Sequence, residues 1–414
     1  MALPRTAPGR LGEIRFFAEA TPGATITTPS TYWAGSYKKV RAWDFAAQLK
    51  KLSETDPAMQ TSPFIDPAPI MLGKGGSASF KCHLTGLSPS YASGTATLID
   101  DLGLILVNAM GGEDLNTSGS VGVASGVGAT AAMITTAGTA AGLTAGSAVR
   151  VGTEMRRIVS ISSENVTLDM DLTSAPASTT AVAASASYYL DESALVDLSD
   201  SGHDTLAVLF RGYDSEDQWQ MRGVFPTIEL SDLGASKPPK LEVTCNILDW
   251  ELVSSVAVGA AFTEQNPTAQ VNSGLYLNVQ STTESSRTKT INAIHTKNLS
   301  IKLGLKATPL ESPTGQQGVV GHMVLGDSST ELEFETTYDS QWNVWYEAGT
   351  PLYAGYQLGT SVLITFPMLY ISETPERAGA GMTSIKVKLK ATNGPTTTTE
   401  LTRSRVAIHR FPVA

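Results

Sequence analysis

The sequence has little charge, little cysteine and no long apolar run. Charged residues make up 16% of the chain, against about 25% in an average soluble domain. Two cysteines cannot form a disulfide framework or a four-ligand zinc site by themselves. The first residues lack the apolar segment of a secretory signal, and no window approaches the roughly 18 apolar residues that cross a bilayer. We therefore expect a soluble chain, without a membrane partner, that is made in a cytoplasm.

Residue constellations that carry catalysis are also missing. The histidines are scattered singly, without His-x-His, His-Glu-x-x-His or Cys-x-x-Cys spacing. No Gly-x-Ser-x-Gly occurs, and the glycines at 73–76 lack the spacing of a phosphate-binding loop. The acidic string from Asp197 to Asp204, with His203 inside it, is more typical of a solvated turn than of a metal site. We predict no enzyme, no cofactor and no metal.

The charge balance is acidic. Lys plus Arg is 29 and Asp plus Glu is 39, which gives a formal net charge of −10. Such a surface repels phosphate backbones, so affinity for nucleic acid is not the predicted function.

Small and β-branched residues predict a mainly β chain of several domains. Residues 1–72 are rich in proline and are predicted to form an N-terminal arm or covering layer. One short helix is expected there, with Asp44 as its N-cap and Phe45, Leu49 and Leu52 on one face. Residues 73–111 and 191–414 form the predicted β domain. No tandem repeat is visible.

An insertion domain of small strands is predicted over residues 112–190. No Phe, Trp or Tyr occurs between Tyr91 and Tyr188, so this part of the chain can pack little side-chain volume. Its clearest feature is a hairpin that turns at 162–165, where apolar residues from Val166 to Leu172 alternate with polar ones.

Period-2 alternation marks the strands of the main domain. Cys82 and Cys245 each lie on the apolar face of such a strand, which predicts two buried, unbridged thiols. Further strands are predicted at these ranges: 206–211, 218–225, 227–230, 241–249, 299–305, 331–338, 362–366 and 385–390. The polar stretch 253–297 between them is too long for a passive turn.

Two predicted strands carry rows of like charge. Glu331, Glu333 and Glu335 share one strand face, and Lys386, Lys388 and Lys390 share another. One interpretation is two solvated faces, which could belong to neighbouring strands whose opposite charges attract. The other is that one row faces a channel or a partner subunit.

Several short strings resemble the tail tube proteins of long-tailed (siphophage-like) bacteriophages. They are Gly73 to Phe80, Val149 to Leu168, Asp171 to Ala177, Gly212 to Asp214, Met221 to Leu230 and Lys237 to Trp250. The resemblance covers roughly residues 73–250 by local pattern.

The resemblance implies a β-sandwich or half-barrel subunit with extended terminal arms. Its copies would form hexameric rings that stack into a hollow tube in the virion tail, assembled in the host cytoplasm. Partners would be other copies and other tail proteins, and genomic DNA would pass without specific binding. The arms expected to join subunits are the N-terminus, 253–297 and the C-terminal strand with Arg403, Arg405 and Arg410.

A channel for DNA favours acidic or neutral walls, because a basic wall would hold the phosphates. Glu331, Glu333 and Glu335 are therefore the predicted lumen residues. Lys386, Lys388, Lys390, Arg403 and Arg405 are the predicted inter-subunit residues.

Two alternatives stay open. Another ring-forming virion component, at the tail tip or the tail terminus, fits the same pattern. A carbohydrate-binding adhesin fits less well, because Trp342 and Trp345 lie three residues apart and would point to different faces of a strand or turn.

Overall fold

The computed structural model describes most of the chain. The described residues are 13–19, 23–34, 37–54, 70–87, 100–115, 120–123, 128–136, 143–191, 194, 205–211, 218–231, 233, 238–253, 256, 273–280, 293–311, 319–325, 329–378, 384–395 and 399–413. The protein is mainly β, as predicted, and its strands pair antiparallel in one large sheet, one small sheet and one hairpin. The tail-tube version of this fold stays a prediction.

The first part of the large sheet comes from residues 13–253. Its strands are β1 (Glu13–Glu19), β2 (Lys38–Glu54), β3 (Ile70–His83), β4 (Gly111–Leu115), β11 (Ala186–Leu190), β12 (Thr205–Arg211), β13 (Gln218–Ser231), β14 (Lys240–Ile247) and β15 (Asp249–Val253). Its helices are α1 (Pro29–Tyr32) and α2 (Asp101–Met110). The Asp100 carboxylate caps α2 by accepting from the Gly103 amide at 2.7 Å.

The second part comes from residues 274–410. Its strands are β16 (Gly274–Val279), β17 (Ala293–Ile294), β18 (Lys297–Lys302), β21 (Glu331–Thr337), β22 (Leu352–Leu358), β23 (Val362–Ile371), β24 (Glu376–Ala378), β25 (Ser384–Thr392) and β26 (Ala407–Arg410). Its helices are α3 (Gln341–Glu347) and α4 (Glu400–Arg403). A separate hairpin, β19 (Lys306–Glu311) with β20 (Val319–Leu325), interrupts this part.

The small sheet lies within the predicted insertion. Its strands are β5 (Ser120–Val123), β6 (Met133–Thr135), β7 (Ala148–Val151), β8 (Glu154–Ser162), β9 (Asn165–Leu168) and β10 (Ala181–Ala184). The predicted boundaries of 112–190 are too wide, because β4 and β11 pair with each other and belong to the large sheet. Since those two strands are neighbours, the insertion leaves and rejoins the main sheet at one place.

One long strand links two groups of strands. Residues 218–224 of β13 pair with β12, whereas residues 225–231 pair with β14. Gly223 lies at the bend with a φ of +56°, and a Cβ there would be 2.6 Å from the Leu248 side chain. Pro226 follows at the change of partner, where a missing N–H is tolerated. The two groups pack together through Phe16 and Phe80, whose ring centroids are 5.9 Å apart.

The helix predicted around Asp44 is wrong. Residues 38–54 form strand β2, which pairs with β3 along most of its length. Phe45 and Leu49 are four residues apart, an even number that also places them on one strand face, so their spacing did not distinguish the two structures. A bulge between Trp43 and Ala46 accommodates Asp44 at a φ of +52°.

Where the structure describes the predicted arms, parts of them are strands of the main sheet. Strand β1 pairs with β12 and buries Ile14 and Phe16 in the core. Within 253–297, strand β16 pairs with β22. Strand β26 lies between β11 and β23, and the buried Arg410 guanidinium donates to both Asp100 oxygens. All three segments are apolar enough at alternate positions to enter the main sheet.

Both cysteines are buried and free, which confirms the prediction from their strand phase. Leu241, opposite Cys82, and Ala78, opposite Cys245, are buried with them in the core between β3 and β14. Desolvation raises the pKa of both thiols to about 12, although Arg410 opposes this at Cys82, so neither is a thiolate at neutral pH.

A buried histidine gives the fold a defined pH dependence. His409 contacts the Ser187 hydroxyl at 2.8 Å and the Thr365 hydroxyl at 3.0 Å. Desolvation, assisted by Arg157, lowers the pKa of His409 from 6.5 to about 3. Between these values the unfolded chain binds a proton that the folded chain does not, so stability decreases as the pH falls below about 6.5.

We predict that His409→Gln, which keeps both hydrogen-bonding positions, weakens this dependence. From pH 6.5 to 4.5, the wild-type free energy of unfolding should fall by about 2–3 kcal/mol more than that of the variant. Urea unfolding at several pH values measures the difference. Parallel pH curves for the two proteins would contradict the assignment.

Candidate functional site

The large sheet has one extended polar face. Alternation along β21 buries Leu332 and Phe334 and leaves the three glutamates half-buried on the other side. We use the name polar face for this side of six successive strands, β3, β14, β13, β18, β21 and β25. It is the largest feature of the described residues that needs an explanation beyond packing.

The structure brings the two predicted charge rows together. They are directly opposite in register, in the pairs Glu331 and Lys390, Glu333 and Lys388, and Glu335 and Lys386. The closest contacts within the rows are diagonal, because Lys386 lies 2.7 Å from Glu333 and Lys388 lies 3.5 Å from Glu331. Lys386 donates a hydrogen bond to Glu333 and Lys388 donates one to Glu373, and these bonds raise the pKa of both lysines above its ordinary value.

The alternation of charge continues across the neighbouring strands. Lys302 is opposite Glu331 on β18 and lies 3.9 Å from Glu229 on β13. On β14, Glu242 lies 3.8 Å from Lys81 of β3. Desolvation raises the pKa of Glu229, although Lys302 opposes the shift. Acidic and basic side chains therefore alternate over most of the polar face, and Glu229 opposite Glu242 is a like-charged pair within it.

Short hydroxyl side chains fill the space between the charges. They are Ser79, Thr227, Thr244 and Ser300, and each is opposite another member of the face. The result is a surface with fixed charges of both signs and small uncharged groups between them.

The separate roles predicted for the two rows need correction. The glutamates are not an unpaired acidic wall, and the lysines are not a second surface, because both rows belong to one face and neutralise each other. Sequence alternation gave each row correctly, but which strands are neighbours depends on long-range pairing that the pattern does not contain.

The two predicted arginines lie outside this face. Arg403 forms an ion pair with Glu400 within α4. Arg405 Nε lies 3.4 Å from Asn393 Oδ1. Neither residue is on one of the six strands, so the structure does not bring them to the charge rows.

The two tryptophans considered for an adhesin do not lie on the predicted strand or turn. Trp342 and Trp345 lie on helix α3, where a spacing of three brings their ring centroids to 5.3 Å. Trp342 is buried against Phe334 rather than displayed. The pair therefore provides no exposed aromatic platform.

The described residues contain no group of three potential metal ligands and no helix long and apolar enough to span a membrane. The whole acidic string 197–204 lies outside the described residues. No protein-family model matches the chain, and a search of curated proteins finds no similar sequence.

We predict that the two charge rows stabilise the fold as a unit. Replacing Glu331, Glu333 and Glu335 with Lys places three lysines opposite three others and should lower the free energy of unfolding by about 1–3 kcal/mol. The reciprocal change of Lys386, Lys388 and Lys390 to Glu in the same chain should restore most of that loss. Thermal and urea unfolding measure both variants; equal destabilisation by both would show that the rows do not interact.

Proposed function

We propose that the chain is a structural virion protein, the major tail tube subunit of a long-tailed phage. Its copies form rings that stack around a channel for DNA, and the chain performs no catalysis. The observation that carries the proposal is one continuous antiparallel sheet with a charge-balanced polar face and, among the described strands, a free edge on β2 and on β24.

Exposed strand edges explain why such a chain would assemble. An unpaired edge presents free N–H and C=O groups and is an aggregation hazard for a monomer. Head-to-tail pairing around a closed ring satisfies every edge and ends growth within the ring. The strand edges thus favour a ring component over a freely soluble binding protein.

The polar face has the properties that a DNA channel needs. A basic lining would release counterions and retain the phosphates, whereas a lining of alternating charges has no net attraction for them. The polar face carries five glutamates, among them Glu229 and Glu242. Lysines such as Lys302 lie at neighbouring positions. The polar face therefore suits transient passage without specific binding.

We predict that the purified full-length chain, concentrated alone, forms hollow tubes with a regular axial repeat in negative-stain electron microscopy. Isolated single rings would instead favour the tail-tip or tail-terminator alternative. A chain that stays monomeric at every concentration, and in the presence of tail-tip proteins, would contradict both.

A charge change tests the face as a lumen. Replacing Glu229, Glu331 and Glu333 with Gln leaves lysines without their partners, so tubes of this variant should retain DNA during passage. We expect salt-dependent DNA retention and a loss of infectivity, whereas replacing Lys386, Lys388 and Lys390 with Gln should not cause retention. If the variant without Glu229, Glu331 and Glu333 forms normal tubes and keeps its infectivity, the polar face lies outside the channel.

A further inference from the structure

The same arrangement of strands occurs twice in the chain. In the first part, four strands follow the order β2-β3-β14-β13, and in the second part four strands follow the order β18-β21-β25-β23. We call these parts unit 1, from the described residues of 13–253, and unit 2, from those of 274–410. In both units a helix, α2 or α3, follows the second strand of the set.

The remaining strands also correspond. The first half of β13 lies between β12 and β15, and the first half of β23 lies between β22 and β26. Strand β1 pairs with β12 in unit 1, and β16 pairs with β22 in unit 2. The repeated strands thus follow the same chain order in both units, and the order of neighbours within each set of four is the same; β2 pairs in addition with β1, and β25 with β24.

The register of the central pair is identical. Phe80 is opposite Val243 in unit 1, and Phe334 is opposite Val387 in unit 2. All four side chains are buried. These pairs align the two units residue by residue along their central strands.

A short sequence signal accompanies the structural one. The strings Phe225-Pro-Thr-Ile-Glu-Leu-Ser and Phe366-Pro-Met-Leu-Tyr-Ile-Ser are similar; residues 225–231 lie on β13 and residues 366–371 on β23. In both, the proline is where the strand exchanges one partner for the next. When the units are aligned on Phe80 and Phe334, the second string pairs with β25 four residues away from where the first string pairs with β14. Because four is an even number, the same positions of both strings face the core.

The two units are joined edge to edge. β13 lies at the edge of the four-strand set of unit 1, and β18 lies at the edge of the set of unit 2. These two strands pair with each other, with Glu229 opposite Lys302 and Leu230 opposite Ile301. This junction shows how one unit adds to the next. It also leaves one unpaired edge at each end of the two-unit sheet.

The free edge of β2 corresponds to the joined edge of β18, and the free edge of β24 corresponds to the joined edge of β13. Beyond residue 41, β2 pairs only with β3 among the described strands, and β24 pairs only with β25. Gln48 corresponds to Lys302, because their partners Ser77 and Glu331 each precede the aligned phenylalanine by three residues. Glu376 corresponds to Glu229, because their partners Lys386 and Glu242 each precede the aligned valine by one.

We infer that each chain supplies two ring units, so that three chains complete a ring of six, and that β24 of one chain pairs with β2 of the next as β13 pairs with β18. The number six rests on the proposed function; the edge pairing rests on the internal junction. Copying the register of that junction places Glu376 opposite Gln48 and brings Glu373 close to Lys50 and Lys51. All of these side chains are exposed, and the charges on the two edges are opposite.

Disulfide trapping tests the contact and the number of chains together. In the full chain carrying Gln48→Cys and Glu376→Cys, paired strands bring the two Cα atoms to about 5 Å, within disulfide range. Oxidation of assembled tubes should give a closed product of three chains in non-reducing gels. Gln48→Cys with Glu164→Cys is the matched control, since Glu164 is exposed at the tip of the β8–β9 turn of the small sheet, and it should give no such product.

The other outcomes separate the inference from the proposed function. A closed product of six chains would overturn the number three and leave the edge contact. Intact tubes without cross-links would overturn the edge contact and leave the tube. A wild-type chain that forms neither rings nor tubes would overturn both.

Charge reversal provides a second test that depends on whether the number of chains is odd or even. Lys50→Glu with Lys51→Glu, and Glu373→Lys with Glu376→Lys, should each reduce ring formation by creating like charges at every contact. All four changes in one chain should restore rings. A mixture of the two double variants can pair only alternately, and an odd ring cannot close by alternation. Rings of normal diameter from the mixture would therefore overturn the number three; Glu164→Lys with Glu347→Lys is the control.

Discussion

The pairing of β13 with β18 is the contact that joins the two repeated sets of four strands. It involves only two residue pairs, Glu229 with Lys302 and Leu230 with Ile301, and a second pairing, β11 with β26, also connects the two units. Because the strands share a plane there, the polar sides of both groups form one face. The same pairing satisfies two edges internally and leaves β2 and β24 as the edges available to other molecules.

Charge balance on the polar face follows from this continuity. Lys302 comes from unit 2 but lies between Glu229 of unit 1 and Glu331 of its own unit. Removing the junction would leave Glu229 beside Glu242 without a cation on its other side. At this position the balance of charge therefore depends on the two units being joined.

Local alternation predicted a large part of the fold. It found the charged strands β21 and β25, the strand phase of Cys82 and Cys245, and the β8–β9 hairpin, because in each case one side of a strand is buried and the other is not. It failed at β2, where spacings of four fit both a helix and a strand. It also failed for β1, β16 and β26, because a short strand at a chain end or within a polar stretch is recognised only by its partner.

The candidate site was half predictable for a related reason. A row of like charges consists of alternate residues of one strand, so the sequence alone predicted both rows. Their mutual neutralisation depends on which strands are neighbours, and this is set by pairing over dozens of residues. Sequence similarity between the two units is visible in one short string, which begins with Phe-Pro on β13 and β23, because buried strand positions accept many apolar residues.

The insertion distinguishes the two units. In unit 1, the chain leaves α2 through β4, forms the small sheet, and returns through β11 before β12. In unit 2, α3 is followed by β22 after only Ala348 to Pro351. The small sheet is fixed on the main body by specific contacts. Arg150 donates to the Thr360 and Pro412 carbonyls at 2.7 and 2.8 Å, and the Tyr353 hydroxyl donates to the buried Asp169 carboxylate.

Such an asymmetric chain has a consequence for the assembly we propose. If each chain supplies two units and only one carries the small sheet, a ring of six units carries three small sheets, at alternate positions. The set of four strands that both units contain in the same order would still repeat six times around the ring. Duplication thus lets the lining keep the regularity that a channel needs, while another part of one unit changes without a matching change in the other.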